Sequence, residues 1–208
     1  MEKITILNNP LINHKLTFLR DKNTSSRDFK RTVEEITALM MYKVFENVQG
    51  EPKEIETPLC KMQGETLKKG VTFIPVLRAG LAMAEGAVSV VPDAKIGHVG
   101  MVRNEETLEP TEYYFKLPEG VHNDTVIILD PMLATGGSAA AAVSAVKKRG
   151  ITDIKFVSIV SAPQGIDKLS KEHPDIEIYC GAEDSGLNER GYIVPGLGDA
   201  GDRIFGTK

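Results

Sequence analysis

The chain predicts an α/β fold: a mostly parallel, twisted sheet with helices on both faces. Three observations carry that expectation. Short, continuous apolar runs rich in Val, Ile and Phe recur between residues 71 and 180. Such runs suit strands covered on both sides, as in parallel sheets. They alternate with helix-length segments, the pattern of βαβ units. No internal repeat or low-complexity linker interrupts the 208 residues, a length that suits one domain over residues 1–208.

Taken in order, the chain opens with helix, over about residues 11–48. A short helix is expected from Leu11 to Arg20. Ser25 and Ser26 can cap a second, in which Phe29, Val33, Ile36, Met40 and Val44 recur at three- and four-residue steps. It runs to about Val48, where Gly50 and Pro52 end it. The core, about residues 71–180, begins with a strand from Val71 to Val76, a turn at Arg78-Ala79-Gly80 and a small-residue helix from Leu81 to Val90. Lys95 to Arg103 and Thr111 to Lys116 read as strands joined by the polar segment 104–110, together a β-hairpin arm. Thr125 to Leu129 is a continuous apolar strand. The Ala-rich helix Ser138 to Arg149 follows, with Lys147, Lys148 and Arg149 in its last turn and Gly150 at its C-cap. Strand Lys155 to Val160, helix Gln164 to His173 and strand Ile176 to Cys180 complete the alternation.

Composition narrows the function. Hydrophobic residues make up 41% and charged residues 26%, and the formal net charge is −4. That balance argues against binding nucleic acid through charge alone. No apolar run approaches the roughly 18 residues that a membrane span needs. The start, Met1-Glu2-Lys3-Ile4, lacks the basic and apolar regions of a secretory signal. The expectation is a cytoplasmic protein without nucleic-acid or membrane partners. Cys60 and Cys180 stand far apart and outside any CxxC, so two buried thiols are expected rather than a disulfide. The scattered histidines His14, His98, His122 and His173 offer no zinc-site spacing.

The informative stretch links strand to helix: Asp130-Pro131-Met132-Leu133-Ala134-Thr135-Gly136-Gly137-Ser138. Open α/β sheets bind ligands beyond the carboxyl ends of their strands. Two consecutive glycines let several N–H groups approach an anion, and the following helix adds the positive end of its dipole. Thr135 and Ser138 add hydroxyl donors, so the segment suits a phosphate monoester. Asp130 is an acceptor suited to a sugar diol or a metal-bound water. A Walker A loop is excluded, because Gly137 occupies the place of its Lys. Gly196-Leu197-Gly198-Asp199-Ala200-Gly201 matches GxGxxG, but only seven residues follow Gly201. That is too short for the helix and the acid of a dinucleotide fold. The segment reads instead as a loop able to wrap a small planar ligand.

These residues together resemble a family. The strand, Asp130 and the turn Ala134-Thr135-Gly136-Gly137-Ser138 are similar to the phosphoribosyl diphosphate signature of type I phosphoribosyltransferases. The tail from Gly191 to Arg203 resembles the base-binding segment of that family's uracil branch. The turn Leu77-Arg78-Ala79-Gly80 and the run from Met101 to Pro110 are similar to the same branch. Pro131 replaces the second acid that many type I enzymes carry, a feature of the uracil branch. Ala82 departs from the pattern, which has Gly there.

The resemblance implies transfer of a 5-phosphoribosyl group from 5-phospho-α-D-ribose 1-diphosphate to uracil, giving uridine monophosphate and diphosphate. It implies that Asp130, Pro131, Met132, Leu133, Ala134, Thr135, Gly136, Gly137 and Ser138 bind the phosphoribose, with Asp130 on its 2′ and 3′ hydroxyls. Arg78 and Arg103 would hold diphosphate, Arg103 closing over it at the base of the arm. Asp199 would reach the diphosphate or a metal-bound water. Ile193, Gly198, Asp199 and Ala200 would bind uracil, within a C-terminal hood over residues 185–208. Mg²⁺ would arrive on the diphosphate with no firm protein ligand. The peptide beside Arg78 is non-proline cis in many relatives. A dimer or higher homo-oligomer is implied, with apolar surface on the N-terminal helices, and some relatives take GTP as effector. Two alternatives share this fold: a pyrimidine-sensing RNA-binding regulator and a transferase for another base. Read singly, Arg78 and Arg103 would be surface ion-pair partners, Asp199 and Asp202 turn residues, Tyr192 a core residue, and Glu105, Glu106 and Glu109 a solvated face.

Overall fold

A computed structural model describes residues 3–103 and 110–207. In chain order the elements are β1 (Ile4–Ile6), α1 (Pro10–Arg20), α2 (Ser26–Val44), β2 (Gly50–Glu56), β3 (Lys61–Leu67), β4 (Val71–Leu77), α3 (Gly80–Val90), β5 (Lys95–Ile96), β6 (His98–Arg103) and β7 (Pro110–Lys116). There follow β8 (Thr125–Leu129), β9 (Met132–Leu133), α4 (Gly137–Lys147), β10 (Ile154–Ser161), α5 (Pro163–Glu172), β11 (Glu177–Glu183), β12 (Gly186–Leu187), β13 (Ile193–Val194) and α6 (Ala200–Phe205). The main sheet runs β1-β11-β10-β8-β4-β6-β7, with β5 beside β4 and β9 beside β10. Every pairing in it is parallel except β6 with β7.

Alternation along the central strands sorts the core into two layers. Phe73 of β4, Ile127 and Leu129 of β8 and Val157 of β10 face α1, α2 and α3. Their neighbours Ile74, Val126, Ile128 and Phe156 face α4 and α5. A period of two along strands buried on both sides requires this division. The expected sheet with helices on both faces is therefore present.

Several boundaries differ from the sequence reading. Helix α2 is capped by Ser25 as expected but ends at Val44, not Val48. Its last residues close instead through three-residue steps, Glu46 N–H to Lys43 and Val48 N–H to Phe45. Such bonds tighten the end of a helix. Gly50 and Pro52 do not end a helix; they open the antiparallel hairpin β2–β3. Lys95 to Arg103 is broken at Gly97, whose N–H bonds to Phe73 O at 2.9 Å. The GxGxxG tail does open a helix, the six-residue α6, though no strand follows it. The expectation of two buried thiols fails at Cys60, which is exposed in the β2–β3 turn; Cys180 is buried, and both are unpaired. Among the described residues, no helix is long and apolar enough to cross a membrane.

Candidate active site

The site grows from the end of β8. Asp130 N–H bonds to Val157 O at 3.1 Å, extending the ladder one residue past the strand. Pro131 O accepts from Ile159 N–H and Val160 N–H at 3.2 and 3.0 Å. Leu133 O accepts from Ala162 N–H at 2.9 Å. Residues 130–133 are thus stapled along β10. The Asp130 carboxylate accepts the Met132 N–H at 3.1 Å. Burial outweighs that bond and pushes its pKa up to about 6.

Thr135, Gly136 and Gly137 then turn the chain into α4. Gly136 has φ +79°, and a Cβ there would stand 2.9 Å from Gly165 O. Gly165 itself lets α5 approach: a Cβ would stand 2.5 Å from Ala134 O. Gly137 is different. The nearest atom to a Cβ would be Thr135 Oγ1 at 3.8 Å, an ordinary van der Waals contact rather than a clash. Gly137 opens α4, whose first N–H groups no helical carbonyl satisfies. Free backbone donors at a helix start form a cradle that suits a phosphate.

Arg78 enters from the neighbouring strand, at the end of β4. The Leu77–Arg78 peptide is cis. Its side chain is more than half exposed, with Nη2 3.7 Å from Asp202 Oδ1 and the guanidinium 5.7 Å from the Phe205 ring. A Cβ on Gly201 would lie 3.8 Å from the same Nη2. The tail and Arg78 therefore meet, and Arg78 also fits its plainer reading as a surface ion-pair partner, here loosely paired with Asp202. Asp199 caps α6 by accepting the Asp202 N–H at 2.9 Å. Ala82 lies inside α3, buried in the core. Arg103 ends β6. Its side chain and residues 104–109, with Glu105, Glu106 and Glu109, lie outside the described residues.

The tail forms a hood over the cradle. Strand β13 pairs antiparallel with β12, and the Val194–Pro195 peptide is cis. Ile193, Leu197 and Ala200 are buried in the core layer that holds α1 and α2. Gly191 faces the cradle: a Cβ would lie 3.6 Å from Thr135 Cγ2. A cavity of about 260 Å³ joins the two parts, with Met132 and Ala134 on one side and Gly191, Tyr192, Gly198 and Asp199 on the other. Tyr192 is 44% exposed and borders this cavity, contrary to its expected place in the core. A larger cavity of about 860 Å³ lies between the β2–β3 hairpin and residues 91–94. It offers Lys53, Lys68 and Lys69 but no glycine-rich turn.

The sequence reading missed three side chains that hold the hood: Arg20, Asp184 and Arg203. No local pattern marks them, since Arg20 and Asp184 are 164 residues apart. Gly165 was missed as well, for its contact with the cradle is made across α5.

A family model described as uracil phosphoribosyltransferase matches residues 6–207. The chain belongs to that family. A uracil phosphoribosyltransferase from Alkaliphilus oremlandii is 54% identical over 209 residues, covering 100% of both chains. One from Streptococcus mutans is 54% identical over the same length, again with 100% coverage of both. Among solved structures, the AQ2163 protein of Aquifex aeolicus superposes with a TM-score of 0.92 at 40% identity, covering 97% of each chain. A hypoxanthine phosphoribosyltransferase of Staphylococcus aureus, 12% identical with a TM-score of 0.50, shares the fold alone. Family membership makes the chain a pentosyltransferase.

Proposed function

We propose that the enzyme transfers the 5-phosphoribosyl group of 5-phospho-α-D-ribose 1-diphosphate to uracil, releasing diphosphate. The observation that carries this is the meeting of the tail with the glycine turn, where a Cβ on Gly191 would lie 3.6 Å from Thr135 Cγ2. The 5′-phosphate sits on the N–H groups and hydroxyls of Ala134, Thr135, Gly136, Gly137 and Ser138. Asp130 accepts from the ribose hydroxyls, with Pro131, Met132 and Leu133 fixing its approach. Arg78 and Arg103 hold the diphosphate, and Asp199 faces it. A ring nitrogen of uracil bonds to the anomeric carbon as the carbon–oxygen bond to diphosphate breaks, and the ring nitrogen loses its proton. Charge builds as an oxocarbenium-like ribose and an anionic leaving group. Positioning and charge compensation therefore do the catalytic work.

Uracil presents two carbonyls and an N3–H. The N–H groups of Gly198 and Ala200 meet one carbonyl, and the Ile193 backbone supplies another contact. Cytosine reverses donor and acceptor at one edge, a buried mismatch that costs about 1–3 kcal/mol.

The acids near the cradle suit Mg²⁺ brought in on diphosphate oxygens. Mg²⁺ often keeps several of its waters, so few protein ligands are needed. When bound there, the ion neutralises leaving-group charge. The two unpaired thiols suit a cytoplasmic setting. A homo-oligomer is supported by exposed apolar residues on the β2–β3 hairpin and α2. Leu59 is 95% and Tyr42 86% exposed, and Met41, Phe45, Val90 and Val91 line an apolar groove beside the hairpin.

The test is direct. The protein is incubated with the activated sugar, Mg²⁺ and each free base in turn, and nucleotide is measured. Uridine monophosphate from uracil is the expected product. Turnover of hypoxanthine with none of uracil would replace this reading by the other-base alternative.

A further inference from the structure

We propose that Arg20, Asp184 and Arg203, none of which touches substrate, position the backbone donors that read uracil. The inference rests on the function proposed above. Arg20, the last residue of α1, makes a two-pronged pair with Asp184: Nη1 to Oδ2 at 2.8 Å and Nη2 to Oδ1 at 2.6 Å. Gly196 lies inside this pair. Its carbonyl accepts from Arg20 Nη1 at 2.7 Å, and its N–H donates to Asp184 Oδ2 at 2.8 Å. Both polar groups of one hood peptide residue are thus taken by a single ion pair. Asp184 is buried, and these donors satisfy both of its carboxylate oxygens. Gly196 could be no other residue here. It has φ +61°, and a Cβ would stand 2.1 Å from Ile193 O.

Arg203 repeats the device one residue on. Its Nη1 donates to Leu197 O at 2.8 Å and to Leu19 O at 2.7 Å. Its Nη2 donates to Asp21 O at 2.5 Å, and the guanidinium lies 4.2 Å from the centroid of the buried Phe29 ring. The end of α1 thereby anchors the hood at both arginines.

Peptide planarity turns this anchoring into specificity. In a trans peptide the C=O and the next N–H point in opposite directions. Only the peptides Leu77–Arg78 and Val194–Pro195 are cis among the described residues, so the Leu197–Gly198 peptide is trans. With the Leu197 carbonyl held toward α1 by Arg203, the Gly198 N–H must point away from α1. Gly198 borders the cavity, and its N–H is the donor assigned to a uracil carbonyl. Losing Arg203 frees that peptide to rotate, which Gly198, at φ +80°, does not resist through a side chain.

The experiment uses full-length Arg203→Met, Arg203→Lys, Arg20→Met, Asp184→Asn and the Arg20→Met/Asp184→Asn double variant. Each is assayed for KM of uracil, KM of the activated sugar and kcat, with thermal unfolding in parallel. Loss of one charged hydrogen bond to the loop corresponds to about a tenfold rise in KM for uracil, with KM for the sugar held within about twofold. Arg203→Lys should recover part of the loss, because one ammonium can still reach a carbonyl. The double variant should be no worse than the worse single one, since both remove the same ring. Unchanged KM for uracil would overturn the proposal. So would a fall in all parameters that tracks unfolding, whether in the Met or the Lys variant. A parent protein that forms no nucleotide from uracil would remove the functional reading itself, and this inference with it. A parent that turns over uracil beside variants of unchanged KM would remove this inference alone.

Discussion

Replacing Asp130 by Asn should stabilise the free protein while it cripples transfer. Burial raises the carboxyl from its ordinary 3.8 to about 6. A shift of that size is worth about 3 kcal/mol at about 1.36 kcal/mol per unit. The sign follows from proton binding. Between pH 3.8 and about 6 the folded protein holds more protons on this group than the unfolded chain does. The protonated form therefore favours folding, and that contribution is full below 3.8 and lost as pH rises through about 6. Asn mimics the protonated acid at every pH and can keep the bond from Met132 N–H through its own carbonyl. The Asn variant should gain about 3 kcal/mol over the parent at pH 8 and about half of that at pH 5. Urea unfolding of both proteins at the two pH values measures the gap. Any cost of the new amide is the same at both, so the change in the gap is diagnostic. A gap independent of pH would refute a desolvated carboxylate at this position. Transfer should fall strongly in the same variant, because ribose loses a charged acceptor.

The same titration should appear in the parent's activity. The rate at low sugar concentration should rise as pH climbs through about 6, and a flat profile would mean that Asp130 does not act ionised. Gly136→Ala places a Cβ at φ +79° and 2.9 Å from Gly165 O; a loss of about 1–3 kcal/mol of stability and weaker sugar binding are expected. Gly165→Ala should push α5 off the cradle, since its Cβ would meet Ala134 O at 2.5 Å. The readout is a raised KM for the sugar with KM for uracil little changed. Arg78→Ala and Arg103→Ala should each weaken use of the activated sugar, and an unchanged dependence on its concentration would remove that arginine from the site.

Much of the fold was legible because the chemistry was local. The strand Thr125 to Leu129 has the same bounds in sequence and structure, since Thr125 and the four apolar residues after it are all buried. The turn into α4 was legible from its paired glycines at a strand–helix junction. The β2–β3 hairpin was not, because β2 is exposed along its whole length and no inside–outside alternation remains to be read. The end of α2 was overextended, as Phe45 and Val48 continue the apolar spacing while the backbone has already left the helix. Strands of two or three residues such as β1, β9 and β13 lie below the length at which periodicity carries information. The anchoring arginines were invisible for a deeper reason. Their partners are mostly backbone carbonyls brought near by tertiary packing, and a carbonyl leaves no trace in residue identity.

The central claim is that the nucleotide product spans the cradle and the hood. A crystal structure with uridine monophosphate tests it most directly. The account predicts the phosphate on the N–H groups of residues 135–138 and the uracil carbonyl on Gly198 and Ala200. A phosphate bound anywhere else, or a base lying outside the hood, would contradict it.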